Sequence, residues 1–124
     1  MAIIKTDSNG IKWVKVYNAG GTSKYEPACG GTWLSFWKEK MSWPQGKNVR
    51  CAVYKHNDEN ENNKEIVGAH VRFVGENGHD LHIVPICQSR NKEVEEGKEN
   101  TEDYFLVKYD MVYDLKPGDS RLKK

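Results

Sequence analysis

Apolar and polar positions alternate along residues 11–17, where lysines separate the apolar side chains. This two-residue period is typical of a half-buried β-strand. Two longer apolar runs, at 66–74 and 81–86, are separated by a turn that contains glycines, and together they predict a β-hairpin. Shorter apolar runs predict two further strands, which lie at 49–54 and at 104–109.

A different spacing predicts a helix from Thr32 to about Met41. Thr32 is a preferred residue type at a helix N-cap, and the Trp-Pro-Gln-Gly segment at 43–46 ends the helix. The apolar residues recur three and four positions apart, so they share one face, which we expect to pack in the core. They are Trp33, Phe36, Trp37 and Met41. A second helix is predicted to begin at Cys87 and to end near Gly97.

The composition suits one small globular domain that covers residues 1–124. The chain has 124 residues, of which 37% are hydrophobic and 30% are charged. Residues 57–65 contain no apolar side chain and are predicted to form a mobile polar loop, and the end of the chain, 116–124, is predicted to be a flexible tail. No apolar run reaches the ~20 residues that span a bilayer, and the first residues lack the features of a signal peptide. We therefore expect a cytoplasmic protein with no membrane partner.

Charge is divided unevenly along the chain. Residues 1–56 carry nine Lys and Arg against three Asp and Glu, whereas residues 57–124 carry ten against fifteen. A basic half could bind nucleic acid by neutralising phosphates. Mutual neutralisation of the two halves in the folded protein is the alternative that we favour, because a net charge of +1 gives only a weak field for non-specific DNA binding.

Three sequence segments occur in an order that resembles a known family. Gly-Ala-His-Val at 68–71 is followed by Ile-Val-Pro-Ile-Cys at 83–87, with Asn91 four positions beyond the cysteine. Upstream, Cys-Gly-Gly-Thr-Trp-Leu-Ser-Phe-Trp at 29–37 is similar, with one extra residue, to a Cys-Gly-x-Trp-Leu-x-x-Trp pattern. Over about residues 29–91 the chain resembles the ββα-metal module of HNH proteins, in particular that of small bacterial and phage-type HNH-like proteins.

The resemblance implies an α+β fold with a small HNH-like ββα core of the treble-clef type at 29–91. In such a core a strand that ends in histidine is followed by a return strand and then directly by a helix. An N-terminal strand, the aromatic-rich helix and a C-terminal strand would complete the domain.

The resemblance also implies a treble-clef zinc site, which needs four ligands. Cys51 and His56 could flank a short knuckle, with Cys87 as the third ligand, but the family's fourth position holds Arg90, whose guanidinium does not bind zinc. The missing ligand would have to come from elsewhere in the chain: Cys29, His79 or His82. We favour the alternative, in which Cys51 and Cys87 are reduced, buried thiols without a metal, as the odd cysteine count and the lack of a secretory signal also allow.

An HNH nuclease uses a strand histidine to activate water and a divalent metal ion to stabilise the transition state. By the resemblance, His70 matches the general base, Asn91 matches the metal-binding residue of the helix, and His82 lies near the position that orients the base. Ala69 departs from the pattern, because active nucleases commonly carry Asp there and a methyl group cannot bind a hard cation. We therefore favour a buried, hydrogen-bonded His70 over a catalytic one.

The sequence leaves more than one class of function open. Because Ala69 and Arg90 stand where metal ligands are expected, we expect a non-catalytic HNH-like binding module that engages a protein or nucleic-acid partner, as a small phage or mobile-element accessory protein would. The alternative is a metal-dependent HNH-type endonuclease with His70 as general base. A third hypothesis is a binder of small molecules or nucleotides that uses exposed tryptophan and tyrosine side chains for stacking.

Overall fold

A computed structural model gives the structure of residues 2–56, 58–76, 80–91 and 103–123. One α-helix and eight strands are present in these ranges. In chain order they are β1 (Ile4–Thr6), β2 (Lys12–Asn18), β3 (Tyr25–Pro27), α1 (Trp33–Lys40), β4 (Ile66–Phe73), β5 (His82–Cys87), β6 (Phe105–Lys108), a 3-10 turn (Tyr109–Met111), β7 (Tyr113–Asp114) and β8 (Ser120–Leu122). The helix and four of the strands lie where the sequence predicts them, and the sequence does not predict the four short strands β1, β3, β7 and β8.

Six strands form one antiparallel sheet around β2. On one edge β2 pairs with β6, and on the other it pairs first with β1 and then with β4. Val16, for example, lies between Phe73 of β4 and Phe105 of β6. The predicted hairpin is confirmed: β4 pairs with β5 from Ile66 opposite Cys87 onward, and β5 pairs in turn with β7.

Residues 51–54 bridge the gap between β5 and β6 and so curl the sheet. The N–H of Ala52 donates to the C=O of Pro85 in β5 at 2.9 Å, and the C=O of Ala52 accepts from the N–H of Lys108 in β6 at 3.0 Å. Tyr54 continues the bridge through an N–H bond of 2.8 Å to the C=O of Leu106. The segment at 49–54 is therefore not the regular strand that the sequence predicts, but a bridging segment with isolated pairings. Strand β5, which it borders, is buried along its whole length.

The predicted aromatic helix is confirmed as α1. Thr32 caps it: the Thr32 side chain accepts from the N–H of Ser35 at 3.1 Å, and the Ser35 hydroxyl accepts from the N–H of Thr32 at 3.1 Å. Phe36 and Trp37 are buried, as their spacing predicts. The helix packs closely on β4: a Cβ atom added at Gly68 would lie only 2.6 Å from the carbonyl carbon of Trp33.

The prediction of an HNH-like ββα core is wrong. The chain is mostly β-sheet, and its one described helix precedes the β4–β5 hairpin instead of following it. After β5 the chain forms a turn at 88–90, closed by the N–H of Arg90, which donates to the C=O of Cys87 at 2.9 Å. The remainder of the predicted second helix, 92–97, lies outside the described residues. The hairpin is instead embedded in a larger sheet, where β2 and β7 supply the pairing and α1 covers β4.

Two segments predicted to be loop and tail have defined places. Glu61, in the polar segment 57–65, accepts the N–H of Val49 at its side-chain oxygen at 2.7 Å and donates its own N–H to the Val49 C=O at 3.1 Å. Residue 57 lies outside the described part of the chain. Within 116–124, β8 pairs with β3 in a separate two-stranded sheet. In the described ranges no helix has the length and apolarity that a membrane crossing requires.

Candidate metal centre and polar cavity

Four potential metal ligands converge beside the bridging segment. The Sγ atoms of Cys51 and Cys87, a ring nitrogen of His56 and a carboxylate oxygen of Glu59 all lie within 4.8 Å of one another. Both cysteines are buried, whereas His56 and Glu59 are half-buried. This cluster of two thiols, one imidazole and one carboxylate could hold a metal ion.

The backbone around the bridging segment holds these side chains together. Cys87 ends β5, and its N–H donates to the Sγ of Cys51 at 3.2 Å. Two consecutive turns follow Cys51: the N–H of His56 donates to the C=O of Val53 at 2.9 Å, and that of Glu59 donates to the C=O of His56 at 3.0 Å. The N–H of Cys51 closes the loop on the C=O of Glu59 at 2.7 Å. All four ligands are therefore carried by hydrogen-bonded backbone.

Two of the separations between the side chains are compatible with a small tetrahedral ion. Zinc binds N, O and S ligands at about 2.0–2.3 Å, which places neighbouring ligand atoms roughly 3.3–3.8 Å apart. Here the Sγ of Cys87 lies 3.5 Å from the Nδ1 of His56, which in turn lies 3.8 Å from the Oε2 of Glu59. That Oε2 atom is buried and has no hydrogen-bond partner among the described residues. Since buried polar atoms are nearly always paired, an unpaired carboxylate oxygen at this point fits a metal ligand.

The Cys51 thiol would have to lose its proton to bind a metal ion. Burial raises the pKa of the Cys51 thiol to about 11, and the backbone N–H groups of Val53 and Cys87 act in the opposite direction by donating to the sulfur. The neighbouring Cys87 thiol raises the pKa further. Without a cation the thiol stays protonated at neutral pH, whereas a bound metal ion stabilises the thiolate that ligates it.

Glu59 is the member of this cluster that the sequence did not predict. It lies in the segment predicted to be a solvated loop, and the one available signal was its position three residues after His56. Of the alternatives for the fourth ligand, Cys29 is exposed and lies 3.7 Å from the C=O of Gly30. His82 is bound to Asp114 at the other end of β5. His79 lies outside the described residues.

Two of the three predicted catalytic residues meet in a cavity of about 300 Å³. His70 on β4 and Asn91 after β5 both line it. His82 does not: its ring stacks on Phe73 with centroids 3.8 Å apart, and its Nδ1 is hydrogen-bonded to Asp114. The constellation expected from the HNH resemblance is therefore split, because β5 carries His82 beyond the cavity toward β7.

His70 is a neutral histidine in this setting. Burial lowers its pKa to about 4, and the positive charge of Arg72 adds to this effect. Its ring packs edge-to-face on Trp33, with centroids 4.6 Å apart. The neighbouring Ala69 belongs to the hydrophobic core, where a carboxylate would be costly to bury. Arg90, at the family's fourth ligand position, lies over the ring of Phe105 at 4.5 Å.

Comparison with known proteins adds no assignment. No protein-family model matches the chain, and neither does any curated protein or solved structure. The function must therefore be inferred from the metal cluster and the cavity themselves.

Proposed function

We propose that this protein is a zinc-binding, non-catalytic binding module. In this proposal a structural zinc ion is held by Cys51, His56, Glu59 and Cys87. The observation that carries the proposal is the convergence of four ligand atoms within 4.8 Å, with two separations at the values of a tetrahedral site.

The types of ligand favour zinc over the hard cations. Calcium and magnesium prefer six or more oxygen ligands, of which the cluster supplies one residue. Two thiolates with an imidazole suit zinc, whose structural sites are four-coordinate. Four protein ligands also close the coordination shell, whereas a catalytic zinc ion keeps one position open for water or substrate. The site therefore supports a structural role for the metal.

A zinc ion at this point would fasten the curl of the sheet. Cys87 ends β5, and Cys51 begins the segment that joins β5 to β6 through Ala52. The other two ligands come from the turns that follow this segment. Because such a site is not assembled in the unfolded chain, the free energy of metal binding adds to the free energy of folding.

The cavity beside His70 supports binding more than hydrolysis. A metal-dependent nuclease of the predicted kind would need several hard oxygen ligands near its base. No carboxylate is found among the described residues that line this cavity, and Asn91 offers a single amide oxygen. His70 is neutral and could accept a proton, but it has no partner there that would hold a divalent ion. The module is therefore expected to bind its partner without cleaving it.

Metal content of the purified, untagged protein tests the proposal. We expect about one zinc ion per chain by elemental analysis, lost in Cys87→Ser and retained in Cys29→Ser, whose thiol is exposed and outside the cluster. Glu59→Gln should weaken zinc binding, whereas the adjacent Asp58→Asn, which removes the same charge, should not. Absence of zinc from protein refolded with an excess of the metal would reject the proposal, as would equal zinc content in both cysteine variants.

A further inference from the structure

The cavity that contains His70 lies where five parts of the fold meet. The end of β2, the strand β3, the start of α1, the strand β4 and the turn after β5 each contribute to its wall. Its volume of about 300 Å³ is at the lower end of the range for small-molecule sites. A cavity of this size accepts one compact unit and not a length of folded chain.

Three carboxamide side chains line this cavity: those of Asn18, Gln88 and Asn91. The Nδ2 of Asn18 donates to the C=O of Arg90 at 3.4 Å, while its Oδ1 is buried and has no partner among the described residues. A carboxamide presents a donor and an acceptor in one plane, which is the pattern that pairs with the edge of a nucleobase. The wall is therefore suited to a flat ligand that carries both kinds of group.

The remaining lining residues add an aromatic surface and a positive charge. Trp33 contributes its indole ring, held edge-to-face against His70. Lys123, beyond β8, is the one formally charged side chain among the described lining residues, since His70 is neutral at pH 7. An indole supports a nucleobase by stacking, and an ammonium group binds phosphate as a point charge. Together they favour an anionic ligand with a planar ring.

We propose that this cavity binds one nucleotide, with the base against Trp33 and the carboxamides of Asn18, Gln88 and Asn91 and the phosphate at Lys123. The inference deepens the binding role proposed above and rests on it, but none of the cavity residues is a zinc ligand. The nucleotide is either a free mononucleotide or the terminal unit of a single strand, because both present the same base and phosphate.

Calorimetric titration of the zinc-loaded protein, residues 1–124, with AMP tests this site. We expect saturable binding at one site with a Kd below about 1 mM. Asn91→Asp, which keeps the shape of the side chain but replaces the amide donor facing the base with an acceptor, should weaken binding about tenfold. Lys123→Ala should weaken AMP binding about tenfold and leave the affinity for adenosine unchanged. Lys116→Ala, an exposed lysine that does not line the cavity, is the matched control and should bind AMP normally.

A parallel titration with a short single-stranded RNA that carries a terminal phosphate separates the two sources. Tighter binding than AMP identifies a strand end as the ligand, and weaker binding identifies a free mononucleotide. If neither the RNA nor any of AMP, GMP, CMP and UMP binds saturably to protein whose zinc content has been verified, the nucleotide site is rejected and the zinc proposal stands. Equal affinity of AMP for the wild type and for both cavity variants would also reject it.

Discussion

The Sγ atom of Cys87 lies 3.5 Å from the Nδ1 atom of His56, although 31 positions separate the two residues. The contact exists because residues 51–54 bridge β5 and β6 and then turn back, which brings His56 to the end of β5. A zinc ion between these atoms would fix the bridge at the point where the sheet closes. The stability of the curled sheet and the occupancy of the metal centre are therefore expected to depend on each other.

Removal of zinc should lower the free energy of unfolding. At free zinc about 100 times above the Kd, bound metal contributes about 3 kcal/mol, and a chelator removes this contribution. Urea denaturation of zinc-loaded and chelated protein measures the difference. In the same samples the amide of Ala52, which donates to the C=O of Pro85, should lose protection from hydrogen exchange. Coincident denaturation curves would contradict a structural role for the metal.

Acidification should destabilise the protein through His70. Its pKa in the folded protein is about 4, below the value of about 6.5 for an unfolded chain, so the unfolded state binds the proton first as the pH falls. The neutral ring makes its full contribution to the free energy of unfolding above about pH 6.5. This contribution, about 3 kcal/mol in total, is lost as the pH falls toward 4. Denaturation of the wild type and of His70→Asn across this range measures the effect. We expect a shallower pH dependence in the variant; parallel curves would show that His70 is not buried as a neutral ring.

Gly68→Ala should destabilise the packing of α1 on β4. The added Cβ would lie 2.6 Å from the carbonyl carbon of Trp33 and 2.7 Å from the backbone nitrogen of Leu34, so the start of the helix must move. Overpacking of this kind costs about 1–3 kcal/mol. Gly118→Ala is the comparison, because its Cβ would meet nothing within 4 Å and only its left-handed backbone is strained. If Gly68→Ala unfolds at the same urea concentration as the wild type, the close approach of helix and strand is incorrect.

Zinc removal should also weaken nucleotide binding, although no zinc ligand lines the cavity. The turn that carries Gln88 and Asn91 is hydrogen-bonded to the C=O of Cys87, and Asn18 is in turn bound to Arg90 in that turn. Loosening Cys87 therefore loosens the cavity wall, and we expect the Kd for AMP to rise about fivefold or more. The titration is repeated with a chelator and, as a control, with the same chelator saturated with zinc. An unchanged Kd in zinc-free protein would mean that the two sites are independent.

Local spacing in the sequence was sufficient to predict the β4–β5 hairpin and α1. The hairpin depends on two adjacent apolar runs, and α1 depends on the three-and-four spacing of residues such as Phe36 and Trp37, so neither requires knowledge of distant partners. The prediction of an HNH-like core was wrong because that core does depend on distant partners. A motif ending in Cys87 does not reveal that β5 will be bordered by β7 and by the bridge at 51–54, which come from far along the chain.

The candidate metal centre was predicted only in part, because it too depends on contacts between residues that local sequence does not bring together. Cys51, His56 and Cys87 were candidate metal ligands on the basis of the HNH resemblance, and the structure brings their ligand atoms together. Glu59 was missed because its approach depends on a chain reversal that includes Lys55 at φ 70°, a conformation that nothing in the lysine side chain indicates. His82 was a catalytic candidate because the HNH resemblance put it near the position that orients the base, and its hydrogen bond to Asp114, 32 positions away, could not be inferred from local sequence.

X-ray absorption at the zinc edge tests the central claim most directly, since it reports which atoms surround the metal. For zinc held by Cys51, His56, Glu59 and Cys87 we expect two sulfur neighbours at about 2.3 Å and two nitrogen or oxygen neighbours at about 2.0 Å. In Glu59→Gln the sulfur shell should persist while the nitrogen and oxygen shell changes. A zinc ion with no sulfur neighbour, or with five or six oxygen neighbours, would contradict the assignment of this cluster as the metal centre.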